Sequence, residues 1–221
     1  MPQKIDHDVD LATLPLIAFT KNVLTKRLGV THKTWLSMQA FLFPTVSCLL
    51  VALGWQFFLH PRHMVRSKKW VELGSLFVRF GLWAYFFVPH FGLGGALKVY
   101  LAYTWVAANY IFINFAVSHT HLPTVSKEDE TVDWVRYAAI HTMNAAPGPF
   151  NFVNWWMSYL NYQIEHHLFP SMPQYNHPKI SPRVKVFFEK HGLKYDQRTY
   201  TDAMIVTFKN LHNVGADAFY G

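Results

Sequence analysis

The sequence predicts an all-α protein in which membrane-spanning helices are joined to a polar helical part. Three observations lead there. Half of the 221 residues are hydrophobic (51%) and only 15% are charged, against roughly 25% in ordinary soluble domains. The charges are unevenly spread: Thr34–Pro61 and residues 80–97 and 99–126 contain no Asp, Glu, Lys or Arg. A helix of about 20 residues matches a hydrocarbon core about 30 Å thick, so each run can cross one. Mean hydropathy is only slightly positive, so the apolar runs are balanced by polar segments.

Composition also excludes several classes. Aromatics make up 17% of the chain, with 8 Trp, 11 Tyr and 19 Phe, too much apolar surface for a disordered protein. The single cysteine, Cys48, rules out an intramolecular disulfide and any C-x-x-C zinc or redox site. The net charge of +7 sits in segments flanking the apolar runs. That placement suits a membrane surface better than nucleic acid, and no nucleic-acid-binding motif is present.

Taken in order, residues 1–33 are polar, with a short apolar stretch, Leu11–Phe19, interrupted by Pro15. Asp6-His7-Asp8-Val9-Asp10 is an acidic cluster that reads as turn and N-cap chemistry or as the wall of a site. Three candidate membrane segments follow: Phe41–Leu59, Leu73–Phe91 and Ala96–Ser118. Arg62, Arg66, Lys68 and Lys69 form a basic run between the first two. Gly92-Leu93-Gly94-Gly95 separates the second from the third and suits a tight helical hairpin. An acidic turn, Glu128-Asp129-Glu130, precedes a short helix over Asp133–Ala139. Ala145–Pro149 must be a loop. Asn151–His167 lacks Pro and Gly and reads as one helix, stopped by Pro170 and Pro173, with Trp155, Trp156, Tyr159 and Tyr162 along it. Residues 182–212 are amphipathic. The organisation expected is therefore residues 1–40, a membrane part 41–118, and a polar helical part 119–221.

Thirteen histidines are many for this length, so placement decides their meaning. In Gln163-Ile164-Glu165-His166-His167, residues 163, 166 and 167 stand at i, i+3 and i+4 on one helical face. Two imidazoles and an amide oxygen would converge there, suited to Fe, Zn, Cu or Ni, while the lack of thiolates disfavours structural zinc or iron–sulfur. His119 and His121, at the end of the third apolar segment, form a second cluster, and ionisable groups near membrane boundaries are candidates for function. His141 is a candidate hydrogen-bonding neighbour of such a site. His60, His63 and His90 read as interfacial anchors; His177, His191 and His212 read as surface groups.

The run Gln163-Ile164-Glu165-His166-His167-Leu168-Phe169-Pro170-Ser171-Met172-Pro173 resembles the third histidine box of membrane front-end fatty acyl desaturases, with Gln163 in the place of the first box histidine. His121-Leu122-Pro123 resembles the segment after that family's last membrane helix, and His7–Leu11 with Thr13–Leu16 resembles the stretch after its second box. The resemblance covers essentially the whole chain, nearest to delta-5 and delta-6 enzymes of fungi, oomycetes and other protists. It implies integral membrane helices and a cytosolic helical cap that carries a histidine-box metal site. It implies two irons, O2, electrons from cytochrome b5, and a cis double bond placed towards the carboxyl end of a polyunsaturated acyl chain. It implies His166 and His167 as iron ligands, His121 or, less surely, His119 as a further ligand, and Gln163 as ligand or catalytic neighbour. An endoplasmic-reticulum membrane, crossed more than once, is the implied location.

The first two boxes and the haem-binding His-Pro-Gly-Gly motif of a fused cytochrome b5 domain are missing from these residues. The chain thus resembles a carboxyl half, and His119, His121, His166 and His167 are too few for two irons. A fragment or truncated form inactive alone is the expectation. A non-catalytic lipid-binding pseudoenzyme and a histidine-box lipid hydroxylase are the alternatives; iron content separates the first and product analysis the second. Which two apolar segments cross stays open: the basic run favours the second and third, the longer uncharged stretch the first and third.

Overall fold

The computed structural model describes residues 16–21, 33–124 and 133–220. The acidic stretches 6–10 and 128–130, the His7–Leu11 segment and Pro15 lie outside the described residues. The chain divides into two compact units, one of residues 42–112 and one built from residues up to 41 and from 113 onward.

In the first unit the uncharged runs form helices, as their length and lack of breakers require. Helix α2 runs over Gln39–Arg66, and helix α3, Trp70–Val117, consists of two helical arms joined at Gly92; both stretches are long and apolar enough to cross a membrane. Two π-helical turns, Phe43–Ser47 and Trp55–Leu59, interrupt α2, the first accommodating Pro44. Helix α3 joins the second and third expected segments through Gly92, whose φ of 65° and ψ of 169° are not helical. A β-carbon resists that left-handed φ, which is why glycine stands there. The chain reverses at this point: Trp83 meets Tyr100 edge-on at 5.3 Å and Arg79 Nη2 donates to Tyr103 Oη at 3.0 Å. The expected hairpin is therefore present, with three apolar arms. Trp105 Nε1 donates to the Thr45 carbonyl at 2.8 Å, Tyr100 bonds Gln56, and Phe57 stacks on Phe80. The interior of this unit is lined by small residues such as Ser47, Ala96 and Ala108, while Phe77, Tyr85, Phe86 and Leu93 face outward.

In the second unit, α1 (Lys33–Ser37) packs on the last helix, α8 (Tyr200–Tyr220), with Ala18, Leu36, Val214 and Ala218 between them. The approach is so close that a Cβ at Gly215 would collide with the Leu36 carbonyl oxygen. Gln39 ties the pair, donating to Leu211 O at 2.7 Å and exchanging two bonds with the Ala18 backbone. Helix α4 (Trp134–His141) starts where Asp133 accepts from the Val135 and Arg136 amides, a standard N-cap. Helices α5 (Phe152–Trp156), α6 (Gln163–Leu168) and α7 (His177–Lys190) follow. A two-residue parallel pairing joins β1 (Asn144–Ala145) to β2 (Gln197–Arg198), a small exception to the all-α expectation.

The single helix expected over Asn151–His167 is not formed. It breaks between α5 and α6, where Ser158 and Tyr159 have φ of 49° and 64°. The cause is polar. Asn161 Nδ2 donates to Ala145 O and to Asn154 Oδ1, both at 2.9 Å, and Asn161 O accepts from the Ala145 amide. These bonds draw the backbone toward β1, and asparagine side chains compete with helical bonding in this way. Consequently Trp155, Trp156, Tyr159 and Tyr162 do not share one helix with the histidine pair.

Candidate metal site

Helix α6 is six residues long, too short to hold itself together by helical bonds. Its neighbours fix it. Ile164 packs with Val184 and Phe188 of α7, and Val135, Ala139 and Leu168 close around them. The Ile164 amide donates to Asn144 Oδ1 at 2.9 Å, which caps the first turn. Glu165, fully buried between Ile164 and the histidines, accepts from Asn144 Nδ2 at 2.7 Å and from the Tyr195 hydroxyl at 2.6 Å. Ser181 in turn donates to Tyr195 Oη at 2.7 Å. The nearby carboxylate and burial push the Tyr195 hydroxyl well above the usual phenol range, burial being the larger cause, so it stays a donor. The β1–β2 pairing is what brings Asn144 and Tyr195 to one carboxylate: Asn144 N donates to Asp196 O at 2.8 Å.

With Ile164 and Glu165 committed to the core, the other side of α6 presents Gln163, His166 and His167. Gln163 is buried. The His166 and His167 rings stand 5.5 Å apart, centroid to centroid. His119 comes to them from the turn after α3, 6.2 Å from His167 and edge-on to Phe115 at 4.5 Å. That turn is set by Thr120 N and Oγ1 donating to Ala116 O and by Met143 N donating to Ser118 O. His121 is placed differently: its Nε2 is 3.4 Å from Arg198 Nη1 and its Nδ1 is 3.3 Å from Thr207 Oγ1. Arg198 itself is locked to Asp196 through two hydrogen bonds of 2.7 and 3.0 Å. Asp196 is raised by burial, but the bonds from Arg198 and Lys194 outweigh that and hold it below the usual carboxylate range.

All these imidazoles are held neutral. Burial, and then the proximity of His167, His121 and His166, pulls His119 down to about 3. Burial lowers His167 to about 4, with His166 adding to it, and burial followed by Arg198 lowers His121 to about 4. His166 is also lowered by burial. A neutral imidazole keeps a lone pair for a metal.

Two further histidines are buried in this unit. His177, expected at the surface, is fully buried, with its ring 5.9 Å from that of His166. The Pro-Ser-Met-Pro turn folds α7 back over α6, and nothing in the local sequence marks its first residue as inward. His141 is buried too; Nδ1–H donates to Pro123 O at 2.6 Å and the ring lies against Tyr137. His191 and His212 are exposed, as their polar surroundings suggest. Asn144, Glu165 and Tyr195 also escaped sequence reasoning, although an acid wedged between an apolar residue and a histidine pair is itself a signal.

Neutral imidazoles with buried nitrogens are the donor type iron accepts. Among the described residues, no three His, Cys, Asp or Glu side chains form a group that could hold a metal alone.

Comparison with known proteins shows the family. Residues 3–199 match the family described as Fatty acid desaturase. The chain belongs to that family. It is 58% identical over 213 residues to an acyl-lipid (8-3)-desaturase of Rebecca salina, covering 96% of this chain and 49% of that protein. It is 46% identical over 222 residues to an acyl-lipid (8-3)-desaturase of Thraustochytrium sp., covering 98% and 50%. Fatty acid desaturase 3 of Bos taurus is 31% identical over 156 residues, 69% of this chain and 34% of that protein. The chain spans about half the length of the first two relatives it matches. No solved structure matches it.

Proposed function

We propose that this chain carries the third histidine box of a front-end fatty acyl desaturase, an integral, multi-pass protein of the endoplasmic-reticulum membrane. The observation that supports it most is the meeting of His119 with the His166–His167 pair on a helix whose other side is anchored by the Glu165 network. His119, His166 and His167 are the residues that would hold iron, with Gln163 on the same face as ligand or orienting neighbour. His121 is the weaker choice from its segment, because a metal there would meet the Arg198 guanidinium. Iron, when bound, would activate O2, the oxidant, so that an unactivated C–H bond can be cleaved.

The remaining work falls to the chain's own groups. Asn144 and Tyr195 hold Glu165, and Glu165 holds the turn that aims both box histidines; such outer partners orient ligands and tune them. Burial keeps the imidazoles unprotonated and ready to coordinate. The apolar helices give the chain a membrane anchor, and the basic run Arg62–Lys69 favours the cytoplasmic side, where cytochrome b5 delivers electrons. The substrate is a polyunsaturated acyl chain, and the new cis bond lies on its carboxyl side.

The test replaces the matching half of the Rebecca salina relative with this chain and expresses the chimera in yeast fed polyunsaturated fatty acids. A new cis bond on the carboxyl side is expected, with the protein retained in membranes after alkaline carbonate. No product from a membrane-inserted chimera, with the parent active beside it, would refute the reading.

A further inference from the structure

His177 opens α7 directly after the turn Gln174–Asn176, and its side chain is 0% exposed. Neither its Nδ1 nor its Nε2 has a hydrogen-bond partner among the described residues, and His166 Nδ1 has none either. Buried ring nitrogens are nearly always satisfied, because an unmade bond forfeits the solvation that water would have given. A histidine retained as plain filler would do better as phenylalanine. Something absent from the polypeptide must therefore meet these nitrogens.

The geometry indicates what. Two imidazoles that each bond one metal at about 2.1 Å hold their ring centroids roughly 4.5–6.5 Å apart. The His166 and His177 centroids are 5.9 Å apart and their planes tilt by 56°. The pair sits on two helices locked together by Ile164, Val184 and Phe188, so its spacing is set by a packed core rather than by a loop. We propose that His177 is a metal-binding residue, forming with His166 a two-imidazole site for a divalent transition-metal cation. The proposal rests on the reading of the histidine box as an iron site and extends it to a residue outside the box.

The test uses the full chain, purified in detergent and titrated with Co2+, which stands next above Fe2+ in ligand affinity and reports its binding by visible absorption. The wild-type chain should bind Co2+. His177→Ala and His177→Phe should each weaken binding at least about tenfold, as should His166→Ala. The double variant His166→Ala/His177→Ala should lose little more than either alone, because the two act as one site. His212→Ala, on the exposed face of α8, should bind as wild type. Circular dichroism checks folding, and His177→Phe, which fills the buried space, decides the matter if the alanine variant does not fold. Wild-type affinity in His177→Phe with loss in His166→Ala would overturn the proposal and leave the box intact. No Co2+ uptake by the wild-type chain would overturn both.

Discussion

In residues 42–112 most of the large apolar side chains point outward, whereas in the other unit polar side chains are sealed inside. Phe77 and Leu93 of the helical arms are 69% and 74% exposed, while Asn144, Asn161, Glu165 and His177 are at 0%. An apolar exterior is stable when the surrounding solvent is lipid, and helices then pack through small residues such as Ala96 and Ala108. A polar interior is stable only when each group finds a partner. The side chains of Asn144 and Glu165 find theirs in the protein, as does the Asn161 amide nitrogen. His177 does not, among the described residues. The complements proposed for the two regions differ accordingly: lipid for one, a metal for the other.

The largest effect should come from the box itself. In the chimera described above, His167→Ala should lower desaturated product at least about a hundredfold while leaving carbonate-resistant membrane insertion unchanged. Product analysis and fractionation of one preparation give both readouts. Gln163→Ala should also reduce product severely. Full turnover in the His167→Ala protein would mean the metal lies elsewhere and would dissolve the contrast between the units. A companion expectation is that this chain expressed alone makes no new double bond, since no three ligand side chains among its described residues form a metal-holding group.

Acid should unfold the metal-free polar unit next. His119, His121 and His167 have folded values of about 3, 4 and 4, below the ordinary 6.5. Below pH 6.5 the unfolded chain takes up these protons and the folded one does not, so stability falls as pH falls. It should be level above that point, and decline until about pH 4 to 3, where the folded state protonates too. Unfolding of the apoprotein followed from pH 8 to 4 by near-ultraviolet dichroism measures this. His119→Gln should flatten part of the acid limb. An acid limb unaltered by that change would mean His119 is not buried neutral.

Smaller losses separate network from packing. Glu165→Ala orphans one donor of Asn144 and the hydroxyl of Tyr195, and should cost about 2–5 kcal/mol. Gly215→Ala forces α8 away from the Leu36 carbonyl, an overpacking that should cost about 1–3 kcal/mol. Thermal unfolding in one detergent compares them. If Glu165→Ala were the milder change, α6 would be held by Ile164 alone.

How much of this was legible beforehand differs between the regions for a physical reason. Lipid-facing helices declare themselves through uncharged length and a glycine at the reversal, both local properties, so the hairpin at Gly92 was readable. The helix over Gln163–Leu168 and the nearness of the His166 and His167 rings were readable from local spacing. The break before α6 was not, since it depends on Asn161 reaching Ala145, 16 positions away. His177 was misplaced for the same reason: Asn176-His177-Pro178 looks like a solvated helix start until the Pro-Ser-Met-Pro turn folds it onto His166. Likewise, only the pairing of β1 with β2 shows that Asn144 and Tyr195 share a carboxylate.

The smallest expected effect is the sharpest probe of the comparison. Phe77 is 69% exposed on an apolar arm and Ile164 is fully buried beside the box. Truncating Ile164 leaves a cavity that packed neighbours cannot fill, and Ile164→Ala should cost about 2–5 kcal/mol. Phe77→Ala leaves none, because a lipid or detergent tail moves into the space, and alanine is a strong helix former. Its effect should stay within about 0.5 kcal/mol, the usual range for changes on a surface in contact with its own solvent. Thermal unfolding of both variants in lipid nanodiscs makes the measurement. A loss at Phe77 comparable to that at Ile164 would mean this face packs against protein rather than lipid, and the outward apolar surface would then be an interface awaiting a polypeptide partner.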